Sequence, residues 1–250
     1  MTARGLTLAP SAPRNWLLVY GSLIVLAEAI IVLVNVAAGV LLQAAILIVV
    51  VSHHAFARSP RDPVLPVLAL VPLIRLLSIA MPIPGAASIS TYVLVGVPAL
   101  FGTLLAARAI GATRSDLGLG RPGSLTKTAT IALIGLPLGL VARSVGGVSP
   151  MAIGDAHPVL FLVIVTLCVV LLEELVFRGL LQRAATTRSR LLGIVTPNVL
   201  YAAMYFGSGS AAAVLFMGLT GSLFGWVVSR SGSLWGVIAA HVLMRLVIQI

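Results

Sequence analysis

The residues best suited to chemistry are two adjacent glutamates in the run Leu171-Leu172-Glu173-Glu174-Leu175-Val176-Phe177-Arg178. The chain has six acidic residues, and three of them, Glu28, Glu173 and Glu174, fall in apolar stretches. An acid at membrane depth costs about 2.5–3.5 kcal/mol even on lenient insertion scales, and such residues are functional by default. On a helix Glu174 and Arg178, four positions apart, share a face with the acid first, the favoured order for an ion pair. Glu173 points about 100° away and is left without that cation. A carboxylate with no counter-ion in an apolar cavity is suited to take or give a proton near neutral pH. Glu173 is therefore the catalytic candidate, and Glu174 the residue held by Arg178.

His241 and Arg245 form a second constellation, four residues apart on one face of the last apolar segment, SLWGVIAAHVLMRLVIQI. A neutral imidazole in that setting can donate to an oxyanion, bind a metal or move a proton. The remaining polar residues call for blander readings. Glu28 and Arg75 are expected to satisfy each other. His53 and His54 are adjacent, do not share a helix face and make a poor metal site. His157, beside Pro158, reads as a helix start. The single cysteine, Cys168, excludes a disulfide framework or a thiolate zinc site and reads as a small buried hydrophobe.

The elements that must position these groups are membrane helices. Of 250 residues, 60% are hydrophobic and 9% charged, far from the quarter that is usual in soluble domains. The mean hydropathy of +1.15 agrees. Apolar runs near 16–36, 38–53, 64–83, 90–110, 127–147, 158–180, 195–207, 211–229 and 233–250 predict an all-α, polytopic transmembrane helical bundle of about eight or nine spans, the seventh being short. The first run is longer than a signal-peptide core of about 7–15 residues and contains Glu28, so it reads as an uncleaved helix. Residues 1–14 read as a cytoplasmic tail and residues 15–250 as a single transmembrane domain, because the short Pro- and Gly-marked loops leave no room for a second domain.

The formal charge of +10 comes from short basic groups between apolar runs, which read as topology signals and not as a nucleic-acid surface. With the N-terminus in the cytoplasm, Arg58, Arg61, Arg108, Arg114, Arg121, Lys127, Arg183, Arg188, Arg190 and Arg230 lie inside, and Arg143 alone goes against that placement. Gly135 with Gly139, and Gly221 with Gly225, are GxxxG pairs that let helices approach closely within the bundle. A proton-coupled transporter is disfavoured by the lack of recognisable inverted repeats.

The run Glu173-Glu174-x-x-x-Arg178, followed by GLTGSLFGWVVSRSGSLWGVIAAHVLMRL, resembles the CPBP intramembrane endopeptidases, which include CAAX prenyl proteases and bacteriocin-processing or bacteriocin-immunity proteins. The resemblance covers about residues 155–248, with a weaker echo in LGLGRP at Leu117 to Pro122. The family pattern is EExxxR, then FxxxH, then HxxxN or HxxxD. Its first glutamate, with the FxxxH histidine, is thought to activate a water, and the third motif to stabilise the oxyanion. Glu173, Glu174, Arg178 and His241 match that pattern. Tyr201-Ala202-Ala203-Met204-Tyr205 stands where FxxxH belongs, so its histidine is Tyr205, and Arg245 occupies the Asn or Asp position.

The resemblance implies an intramembrane endopeptidase in a prokaryotic cell membrane, acting on a lipidated (CAAX-type) or hydrophobic protein or leader peptide. Glu173, Glu174 and His241 would be catalytic and Arg178, Tyr205 and Arg245 supporting. The cofactor is left open; a divalent metal such as Zn is one option, with Glu173, Glu174 and His241 as the candidate ligands. The alternative is a catalytically impaired relative acting as an immunity, scaffold or adaptor protein. A phenol is a poor base at neutral pH and a poor zinc ligand, and an arginine is longer and permanently charged.

Overall fold

A computed structural model describes residues 15–56, 62–80, 89–148 and 158–250. The predicted tail at 1–14, the basic pair Arg58 and Arg61, and His157 lie outside the described residues. The described residues are all-α and contain no strand.

Among the described residues seven helices are long and apolar enough to cross a membrane: α1 (Trp16–Leu33), α2 (Val36–Phe56), α4 (Ser90–Ala109), α5 (Leu125–Ser144), α6 (Pro158–Thr186), α7 (Arg190–Ser208) and α8 (Ala211–Ser231). Two shorter apolar helices, α3 (Val64–Ala80) and α9 (Trp235–Gln249), complete the set. Sidedness is inverted relative to a soluble protein. Leu41, Phe101, Leu140 and Leu215 are each at least 60% exposed, whereas Glu28, Glu174, Arg178 and His241 are buried. A chain with this many apolar helices and an apolar exterior is an integral, multi-pass membrane protein.

Local sequence explains the breaks. α3 is interrupted at Ala69 and α5 at Ile134. Pro72 and Pro137 follow three residues later, and each removes one backbone donor and crowds the carbonyl four residues before it. Ser124, Ser189 and Ser210 cap α5, α7 and α8 by accepting from the backbone N–H of Lys127, Leu191 and Ala213. Gly232 closes α8 in the left-handed conformation at φ +68°.

α6 is the centre of the bundle, touching α3, α4, α7, α8 and α9. The span expected to end at 180 runs on to Thr186, and the one expected to start at 195 begins at Arg190, so the short seventh element is a full-length helix. α9 lies along α5, where a Cβ at Gly135 would collide with the Ala240 carbonyl and one at Gly139 with Val247. Gly96 on α4 meets the Cys168 backbone on α6 just as closely. Both GxxxG pairs are thus used inside the bundle, since Gly221 and Gly225 face α6 and α7.

Several bonds gather the basic connections at one end. Arg183 donates to the Ser115 and Gly232 carbonyls, Trp235 Nε1 to the Gly120 carbonyl, and Arg188 pairs with Asp62. In the same loop Asp116 accepts from the hydroxyl and amide of Thr113, which hold its carboxyl below the ordinary Asp range.

Candidate active site

The glutamate pair sits on a short α-helical turn, Leu172–Glu174, between two wider π-helical stretches, Val165–Leu171 and Leu175–Leu181. π-Turns are rare and occur often at functional sites. On the turn itself the two glutamates, adjacent in sequence, face different neighbours.

Glu174 is fully buried. Its Oε1 accepts from Arg178 Nη1 at 3.3 Å and lies 2.8 Å from His241 Nδ1. Arg178 is also fully buried, with its guanidinium stacked 4.3 Å over the Tyr201 ring. A carboxylate facing Nδ1 draws the imidazole proton to that nitrogen and leaves the Nε2 lone pair free, a tautomer assigned from the hydrogen-bond network. His241 Nε2 has no hydrogen-bond partner in the protein and points toward Glu173 Oε2, 3.8 Å away. That gap is too long for a direct hydrogen bond and suits one bridging water.

Glu173 lines a cavity of about 470 Å³ between α3, α4, α6, α7 and α9, with Arg75, Cys168, Tyr201, Tyr205 and Arg245 also in its wall. Its surroundings differ from the sequence expectation. Arg245 Nη2 lies 3.6 Å from Glu173 Oε1, so the carboxylate is not without a cation. Its direct hydrogen bond comes from Tyr201, whose hydroxyl donates to Oε2 at 3.0 Å. Tyr205 stands one position back, accepting from Arg245 Nη2 at 2.9 Å and 3.5 Å from the Tyr201 hydroxyl. Tyr201 went unassigned in the sequence because it aligns with the phenylalanine of FxxxH, a packing position. The hydroxyl that distinguishes it from phenylalanine was the available signal.

The side chains do not fit the suggested metal. Among the described residues no group of three or more His, Cys, Asp or Glu is arranged to hold an ion. Glu174 meets the Nδ1 edge of His241 and Glu173 the Nε2 edge, so the two carboxylates flank the imidazole instead of converging on one point, and the cationic Arg245 lies beside Glu173. Zinc takes three or four protein ligands, and a guanidinium alongside opposes a dication.

The polar residues of α1, α2 and α3 pair with one another. Glu28 pairs with Arg75 at 2.6 Å and accepts from Gln43, while Arg75 also donates to the Met204 carbonyl. His53 Nδ1 is 2.9 Å from the Tyr20 hydroxyl and sits at the edge of Trp16.

Fold and cluster together define a multi-pass membrane protein that keeps a Glu-Glu-Arg-His constellation inside its helical bundle, beside a cavity. Residues 155–247, which carry that whole cluster, match the family model described as type II CAAX prenyl endopeptidase, Rce1-like. The match falls on the segment that carries the CPBP resemblance and agrees with it. Comparisons with curated proteins and with solved structures gave no match.

Proposed function

We propose that the chain is an intramembrane endopeptidase that hydrolyses a peptide bond in a lipidated, CAAX-type or otherwise hydrophobic protein tail or leader peptide. The observation that carries this reading is that Glu173, in the wall of the 470 Å³ cavity, faces the buried His241 Nε2 across 3.8 Å. Water between these two acceptors donates a proton to each and is polarised for attack. Its oxygen adds to the scissile carbonyl carbon as Glu173 takes the proton. The resulting oxyanion is met by Arg245, since His241 in the tautomer set by Glu174 has no proton on Nε2 to offer it. When the C–N bond breaks, the amine leaves with the proton held by Glu173. Glu174 and Arg178 act by fixing the imidazole, and Tyr201 by fixing the Glu173 carboxylate.

A binding protein that does not cut is the second reading, supported by the 3.6 Å approach of Arg245 to Glu173 and by Tyr205 in the place of histidine. One experiment separates the two: cleavage of a quenched peptide library that includes prenylated tails, by purified protein in nanodiscs, with Glu173→Ala as the blank. Turnover above that blank supports the protease. Retention of peptide without turnover, with cleavage restored by Tyr205→His, supports the binding protein and rejects the first reading.

We further propose that the end of the bundle carrying Arg114, Arg183, Arg188, Arg190 and Arg230 faces the cytoplasm of a prokaryotic cell, by the positive-inside bias. The N-terminus would then lie on that side, with residues 15–250 forming one domain.

A further inference from the structure

Behind the glutamates, on the side of α6 away from the substrate cavity, buried polar groups gather where helix α8 has no side chains. Glu174, Arg178 and Gln182 repeat every four residues along α6, and Asn198 faces them from α7. A Cβ on Gly221 would come within 2.9 Å of Arg178 Nη2 and 3.0 Å of Asn198 Oδ1. One on Gly225 would come within 3.0 Å of both Asn198 Nδ2 and Gln182 Oε1. The two glycines thus bring the α8 backbone directly against these polar groups, with Asn198 meeting both.

These groups are not satisfied by the protein. Arg178 Nε and Nη2, Asn198 Oδ1, Gln182 Oε1, Thr220 Oγ1 and Glu174 Oε2 are buried without a hydrogen-bond partner. Arg178, Gln182, Asn198 and Thr220 are each at most 4% exposed. Each of the three side chains around the glycines is also held by one bond: Arg178 to Glu174, Gln182 Nε2 to the Gly225 carbonyl, Asn198 Nδ2 to the Ile194 carbonyl. Their free donors and acceptors therefore point to a third party that can both give and accept hydrogen bonds, which is the chemistry of ordered water.

The series has an outlet. Gln182 also lines a second cavity, of about 520 Å³, at the basic end of the bundle, together with Asp116, Arg183 and Arg190. From there the polar groups run through Gln182, Asn198 and Arg178 to Glu174, which holds His241. Hydrolysis consumes one water for each peptide bond, and a hydrophobic substrate filling the 470 Å³ cavity would close the front approach to Glu173.

We propose that Gly221 and Gly225 line a water-holding polar passage, formed by Gln182, Asn198 and Arg178, which hydrates the Glu174–His241 pair from the basic end while substrate occupies the front cavity. The use of that water in catalysis rests on the protease reading; the passage itself does not. A methyl group at Gly225 would press on Asn198 and Gln182 at 3.0 Å, so Gly225→Ala is expected to narrow it.

The test reads water access and not turnover. Cys168→Ser removes the only native thiol. On that background Asn198→Cys is exposed briefly to Ag⁺, a thiol-reactive cation close to water in size, and remaining thiols are counted with maleimide after denaturation. Ala203→Cys, on the same helix and 1% exposed, is the dry control. The expected result is protection of Asn198→Cys at least ten-fold faster than Ala203→Cys, slowed at least ten-fold when Gly225→Ala is added. Equal rates at the two cysteines, or a rate at Asn198→Cys indifferent to Gly225→Ala, overturns the proposal. If Asn198→Cys fails to give a monodisperse protein, Gln182→Cys is read in the same way. A positive result with a protein that cleaves nothing leaves the passage standing and removes only its use in hydrolysis.

Discussion

Glu174 and Arg178 are both removed from solvent, so each is the other's main compensation for burial, and losing one partner strands a charge. Arg178→Met should destabilise the protein by about 3–5 kcal/mol, the range for breaking a buried pair from one side. The double variant Arg178→Met with Glu174→Gln should recover a large part of that loss, measured by reversible unfolding in mixed micelles, and strictly additive effects would contradict the pairing. Tyr201 acts on the other glutamate. Its hydroxyl is the direct donor to Glu173, so Tyr201→Phe should lower kcat/KM by about 10- to 100-fold, corresponding to the loss of a hydrogen bond to a charged group, while leaving the melting temperature nearly unchanged. An unchanged kcat/KM would remove Tyr201 from the site. The acids, Arg178 and His241 were legible in the sequence because each is a polar letter in an apolar context. Gln182 and Asn198 had the same visibility, and the spacing 174, 178, 182 was there to be read. What hid them is that an uncharged amide costs less at depth and prompts no search for a partner.

Helix existence was legible because length and hydropathy decide it, whereas helix ends were set by contacts that no local pattern records. α7 starts at Arg190 because Ser189 caps it, and α6 continues to Thr186 because Gln182 and Thr186 still pack against α7 and α8. The π-helical winding on either side of Glu173 was not legible at all, since the residues of Val165–Leu171 and Leu175–Leu181 would be equally at home in an α-helix. Gly139 shows an element-level dependence that can be measured. α9, which bears His241 and Arg245, rests on α5 at a distance only a hydrogen side chain permits. Gly139→Leu should push α9 outward and abolish both stability and any activity, whereas Leu140→Ala, on the lipid-facing side of the same helix, should change the melting temperature little. Comparable melting temperatures for the two variants would show that the close approach is dispensable.

For the molecule as a whole, composition announced a membrane bundle, and the match over residues 155–247 concerns the helices that carry the cluster. The wall opposite them comes from elsewhere. Arg75 on α3 reaches the Met204 carbonyl on α7 while bound to Glu28 on α1, and it lines the same cavity as Glu173. This tie bears on whether the chain can be divided. A protein cut in the connection between α5 and α6 would leave a carboxy-terminal fragment with its cavity open on one side and the Met204 carbonyl deprived of its donor. That fragment should be degraded when expressed alone in membranes. Co-expressed with the amino-terminal fragment it should accumulate and co-purify, and Arg75→Leu in the partner fragment should weaken the reassembly. Stable accumulation of the carboxy-terminal fragment by itself would instead mark it as an autonomous module to which the first five helices were added.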